Sequence, residues 1–274
     1  MTPIQQMFLG AGAASTKTYV DDVFSTWLYQ GSAYNQGIQN GILSTDADGN
    51  SQDRMLWIKN RGTTDDYYIW DTKRGHWSSG YPYIKSNANN AETITNSYFG
   101  SSGFQSNGFT TGYASGPTAG DGNNFASWMF KTAPGFFDIV TWTGNGTSGR
   151  QISHNLGSVP GCILIKQLTG GLGSGTADWP VYHTSLGNAQ RLELNSTNAV
   201  GASTLWTSVT PTASVFTVSD HDMVNYNGAT YVAYIFAGGE STASEAVSVD
   251  FDGATDGDAL TVADFLILKQ RILL

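Results

Sequence analysis

Cysteine is almost missing from this chain of 274 residues. A single copy, Cys162, excludes an intrachain disulfide and any cysteine-built zinc site. It lies in the apolar run Gly161-Cys162-Ile163-Leu164-Ile165, which reads as a buried strand with the thiol as a small core group. Charge is scarce as well, at 13% of residues, and it leans acidic: Lys+Arg 13 against Asp+Glu 22. Such a balance argues against nucleic-acid binding, which needs a basic stripe, and against docking on anionic lipid. No stretch approaches the roughly 20 apolar residues of a membrane span, so no membrane insertion is expected. The short apolar stretch within residues 1–15 has no Lys or Arg ahead of it and lacks the form of a signal peptide.

The groups that carry catalysis are thin too. Glu92, Glu193, Glu240 and Glu245 stand apart, and the adjacent pairs Asp21-Asp22 and Asp65-Asp66 alternate sides on a strand instead of converging. His76, His154, His183 and His221 share no metal-ligand spacing and read as surface or capping groups. No Gly-x-Ser-x-Gly elbow occurs. Residues 10–15 and 170–175 are Gly-rich, but without a Gly-Lys-Ser/Thr sequel they read as an arm and a loop. Asp46, Asp48 and Asn50 look like the start of a calcium loop, yet Trp57 occupies the twelfth position, where an acid is needed, so a turn is expected. The expectation is a protein that is not an enzyme.

What the chain has in quantity is aromatics, at 12%, and glycine, 33 copies, within a 40% hydrophobic composition. That combination suits short strands and tight turns around a filled core. The chain also contains itself twice. Phe24 to Gly31 recurs as Phe137 to Gly144, and Met55-Leu56-Trp57-Ile58-Lys59 as Cys162-Ile163-Leu164-Ile165-Lys166. Ile69-Trp70-Asp71-Thr72 with Gly75 recurs as Val181-Tyr182-His183-Thr184 with Gly187. Phe109-Thr110 answers to Phe216-Thr217, and Phe125 to Phe130 answers to Tyr231 to Phe236. Same-order matches at offsets of 106 to 113 residues imply a tandem duplication. In 125–130 both parities carry apolar groups, as in a strand covered on both faces.

The expected fold is therefore all-β: two tandem β-sandwiches of jelly-roll or lectin-like kind, at 24–135 and 136–240. An N-terminal arm, 1–23, precedes them. A linker and an acidic loop plus helix, 241–274, follow. In that last segment Asp250, Asp252, Asp256, Asp258 and Asp264 resemble half a dockerin, a calcium loop running into one helix. Two readings stand, a Ca2+ site and an acidic turn capping the helix. Val262, Phe265, Leu266, Ile272 and Leu273 follow helical spacing, which predicts a stripe that buries itself against a sandwich or a neighbouring subunit. Tyr67, Tyr68, Trp70, Trp77, Tyr81 and Tyr83 form an aromatic-dense region that suits glycan stacking or packing at a domain or subunit contact.

Several motifs carry a family likeness: Val23 to Tyr29, Leu56-Trp57-Ile58-Lys59, Ile69 to Gly75, Ile139 to Gly146, Ile152 to Gly161, Trp179 to His183 and Tyr231 to Ala237. Across residues 20–240 the chain resembles a repeated domain of unassigned chemistry in virion proteins of marine, cyanophage-like bacteriophages. Those are often tail fibre or structural proteins. The resemblance implies a protein made in the host cytoplasm and carried on the exterior of the phage particle, as a fibre or capsid decoration subunit. Its partners would be itself, with a trimer the working guess, and other virion proteins. The alternative is a carbohydrate-binding module that contacts a host surface glycan; a hydrolase stands third.

Overall fold

The structure is a computed structural model, and it describes residues 19–32, 35–76, 80–95, 98–112, 116–170 and 177–238. The C-terminal unit, Gly239–Leu274, lies outside the described residues, and with it the expected calcium loop and helix. The described chain is almost entirely strand. A four-residue helix α1 (Val20–Val23) leads into β1 (Phe24–Gln30), β2 (Gly37–Leu43), β3 (Arg54–Asn60), β4 (Tyr67–Asp71) and β5 (Tyr81–Lys85). Next come β6 (Thr93–Thr95), β7 (Phe99–Gln105), β8 (Asn107–Thr111) and β9 (Asn124–Lys131). The second half runs through β10 (Phe137–Thr143), β11 (Arg150–Ser153), β12 (Pro160–Thr169), β13 (Pro180–His183), β14 (Gln190–Glu193) and β15 (Gly201–Ala202). It ends with β16 (Val215–Val218), the four-residue helix α2 (Asp222–Asn225) and β17 (Thr230–Ala237).

Two large antiparallel sheets carry the same order, β1-β9-β3-β4-β5-β6 and β10-β17-β12-β13-β14-β15. Each is backed by a small sheet, β2-β8-β7 in the first half and β11-β16 in the second. The registers agree position by position. Leu28 pairs with Ala126 and Ala126 with Lys59, while Thr141 pairs with Val232 and Val232 with Lys166. Gly31 and Gly144 follow the first strand of each half, and a Cβ on either would strike a carbonyl, Gly120 O at 2.4 Å or Tyr226 O at 1.9 Å. Only glycine tolerates so close an approach.

Three cores follow from this layering. Tyr29, Leu56, Trp70, Phe109, Phe125 and Met129 fill the space between the first large sheet and its small partner. Trp142, Ile163, Tyr182, Trp206, Phe216 and Tyr231 do the same in the second half. The third core joins the two large sheets face to face, with Met55, Ile69 and Ile84 against Phe137, Leu164, Trp179, Val232 and Tyr234. This is why strands such as β9 and β17 carry apolar side chains on both faces: one face serves a sandwich and the other the central layer.

Candidate functional site

The aromatic-dense region of β4 and β5 splits. Tyr68, Trp70 and Tyr83 belong to the core of the first sandwich, and Trp70 is fully buried between Tyr68 and Phe99. Strand alternation explains it: even positions of β4 face the small sheet, so these rings are closed to any glycan or partner. Tyr81 packs against the same core beside His76 and Phe99. Trp77 lies outside the described residues. Tyr67, on the opposite face of β4, is 39% exposed.

Tyr67 opens a different surface. On the outer face of the first large sheet, one cross-strand row reads Leu28, Ala126, Lys59, Tyr67, and the next reads Thr26, Trp128, Trp57, Ile69. Leu28 is 61% exposed, whereas Ile69 is buried in the central layer. Trp57 and Trp128 are half-buried and meet edge to face with centroids 6.3 Å apart. The Lys59 ammonium sits 5.0 Å from the Tyr67 ring centre and donates to the carbonyls of Thr63 and Asp65. Trp57 also packs against the central core, so this aromatic face continues outward from the layer that joins the sheets.

The equivalent rows on the second large sheet are covered except at Thr141, the exposed counterpart of Leu28. Val232, Lys166, Tyr234 and Leu164 are buried. Their cover is the turn 86–92 of the first half. The Trp179 indole donates to Lys85 O and Ala88 O at 3.0 and 3.1 Å, and Lys166 Nζ donates to Asn89 O at 3.0 Å. Glu92 N donates to Leu168 O. Burial pushes the Lys166 amine down to about 8. Beside this turn Arg74 binds Asp71 Oδ2 at 2.6 Å and Glu92 Oε2 at 2.8 Å, while the Tyr234 hydroxyl donates to Asp71 Oδ2 at 2.6 Å. Burial works against the Arg74 charge, and Asp71, Tyr234 and Glu92 outweigh it. Burial also drives the Tyr234 hydroxyl well above its ordinary pKa.

Sequence reading missed this cluster, although a signal for it exists. Asp71 and Arg74 are replaced by His183 and Leu186 in an otherwise matching turn, so the lock has only one side. Also missed was a clasp present in both halves. Asn87 Oδ1 accepts from Tyr67 N and Asn87 Nδ2 donates to Asp66; Asn195 does the same with Trp179 N and Asp178.

Other candidates close local turns. His154, His183 and His221 each accept at Nδ1 from the backbone N–H two residues on. Asp46 accepts from the N–H groups of Asn50 and Asp48 and from the Asn50 and Gln52 amides, closing a turn. The bonds from Asn50 hold its carboxyl below the usual range. Among the described residues no three His, Cys, Asp or Glu gather as metal ligands would.

A family model described as a domain of unknown function (DUF7483) matches residues 20–261, taking in both halves and the start of the acidic segment. The chain belongs to that family. Neither the search of curated proteins nor that of solved structures found a match. The family boundary treats the two sandwiches as one unit, in keeping with a central core shared between them.

Proposed function

We propose that the chain is a non-enzymatic structural subunit of a phage particle, a fibre or capsid decoration subunit on the virion exterior that acts through subunit contacts and the surface it presents. The observation that carries this reading is the open aromatic face of the first large sheet. It continues the central core outward to Leu28 and Tyr67, beyond the cover that seals its counterpart. Apolar surface of this kind on a folded body suits protein contact. The resemblance of residues 20–240 to virion proteins supplies the location.

Two measurements test it. Light scattering over a concentration series is expected to give a defined assembly. The series is run with calcium and then with chelator, because 250–264 is where calcium is expected to act. Gold-labelled antibodies against the protein are expected to decorate intact particles of the phage that encodes it; bare particles would sink the virion assignment.

The second reading, a host glycan contact, is favoured by Tyr67, whose exposed ring has a cation beside it. Retention on a column of host surface polysaccharide that is lost in Tyr67→Ala would move the assignment there.

A further inference from the structure

The two halves each carry a seven-residue turn at the same place, 86–92 between β5 and β6 and 194–200 between β14 and β15. Both are anchored by the Asp–Asn clasp, and the backbone repeats around it. Ser86 N donates to Tyr67 O as Leu194 N donates to Trp179 O, and Ala88 N to Lys85 O as Ser196 N to Glu193 O. The first turn covers the outer face of the second sheet. In its twin Leu194 packs against the edge of the central core, but the tip, 197–200, is exposed, with Val200 44% exposed. The face such a turn would cover, around Lys59 and Tyr67 and bordered by Leu28 and Trp128, is the half-open one. One chain therefore holds a free turn and a free face of matching kinds.

Resting on the subunit reading above, we infer that the occupant of the open face is a second copy of this chain, docked through its turn 194–200. In that contact the carbonyls of Ser196 and Thr197 take the places that Ala88 and Asn89 hold against Trp179 and Lys166. Lys59 and Tyr67 stand where those two residues stand. Continuity with the central layer supports the choice, since Trp57 already belongs to the interface that an 86–92 turn completes in the second half. The contact is head to tail, because turn and face are different surfaces. It closes a ring if the rotation permits and otherwise propagates.

Leu28→Arg charges the face and Val200→Asp charges the turn; both positions are exposed, so both chains are expected to fold. Sedimentation over a concentration series is the readout. Wild type is expected to associate, and each variant alone to lose about tenfold or more in association, the usual scale for a central contact residue. An equal mixture is expected to recover a 1:1 complex and nothing larger. One chain keeps an intact turn and the other an intact face. Wild-type assembly that ignores both substitutions overturns this interface and leaves the subunit reading standing. Two variants that fail alone and fail to complement overturn it too, since each partner then needs both positions intact, as in an isologous contact. A wild type monomeric at every concentration overturns this interface and self-assembly together.

Discussion

The outer faces of the two large sheets begin from the same pattern and end in different states. On the second sheet Lys166, Tyr234 and Leu164 are closed off by a turn and an ionic cluster from the first half. On the first, Trp57, Trp128 and Lys59 sit half in solvent. The strands are not the cause, because order and register agree. The cause is a handful of residues at the strand ends and in the turns after them: Arg74 and Asp71 have no counterparts in Leu186 and His183, and one turn finds a sheet where the tip of its twin does not. Two halves with one strand order and one register can thus meet through an asymmetric junction.

The sharpest way to break this asymmetry is to remove the cation that holds it. Arg74→Met leaves Asp71 buried with only Tyr234 and a backbone N–H as partners. Stranding one member of a buried ion pair costs about 3–5 kcal/mol. Urea unfolding is expected to show a loss of that size. A loss below about 1 kcal/mol would mean that the junction is held by apolar packing alone.

Second in size is the pH dependence of Lys166. Its folded pKa is depressed to about 8, against roughly 10.4 for a free lysine. Between those values the unfolded chain binds more protons, so the contribution of Lys166 to stability grows as pH rises through the window and is lost as pH falls through 8. The full span is on the order of 3 kcal/mol. Cys162 pulls the other way, since burial lifts its thiol to about 11 and the unfolded chain loses that proton first. The diagnostic is therefore the difference between wild type and Lys166→Met from pH 8 to 10. The wild-type slope should be the more positive. Equal slopes would show that Lys166 titrates as an open lysine does.

Trp179 and Tyr67 offer a matched pair at a smaller scale. Trp179→Phe takes the indole donor from Ala88 O and leaves Lys85 O only the Ala88 N–H, at an expected cost of about 1–3 kcal/mol. Tyr67→Phe, on the open face, is expected to stay within about 0.5 kcal/mol. Similar losses at both positions would erase the distinction between sealed and open faces.

Much of the strand framework could be read from the chain, and the reason is local. Periodicity, β-branched and aromatic runs and Gly-rich turns fix where strands begin and end, and the both-parity pattern of 125–130 announced a strand covered twice. The matched motifs also fell in matching registers. Which aromatics would be exposed could not be read, because Tyr67 and Tyr68 are neighbours of one kind and only the sheet stacked on each face separates them. Nor was the Asp71–Arg74–Glu92 cluster visible. Its members come from the end of β4, the turn after it and the turn 86–92, with Glu92 18 residues from Arg74, and their partner Tyr234 lies 163 residues from Asp71. Those distances close only once the sheets have stacked.

The smallest expected effect is also the most direct probe of that stacking. Thr26 and Ile139 are equivalent positions in the second cross-strand row, paired with Trp128 and Tyr234. Thr26 is exposed and Ile139 is 1% exposed in the central layer. Truncating Ile139→Ala removes packed atoms and leaves a cavity, at about 2–5 kcal/mol. Thr26→Ala removes atoms that already face water and is expected to change unfolding by less than about 0.5 kcal/mol in a dilute, unassembled sample. Dilution matters, because in an assembled sample a docked second chain would cover Thr26 and make the substitution costly. A Thr26→Ala cost that appears only as concentration rises would locate the missing cover of the first sheet in another copy of the chain. A cost already present in the dilute monomer would place that cover within the chain itself.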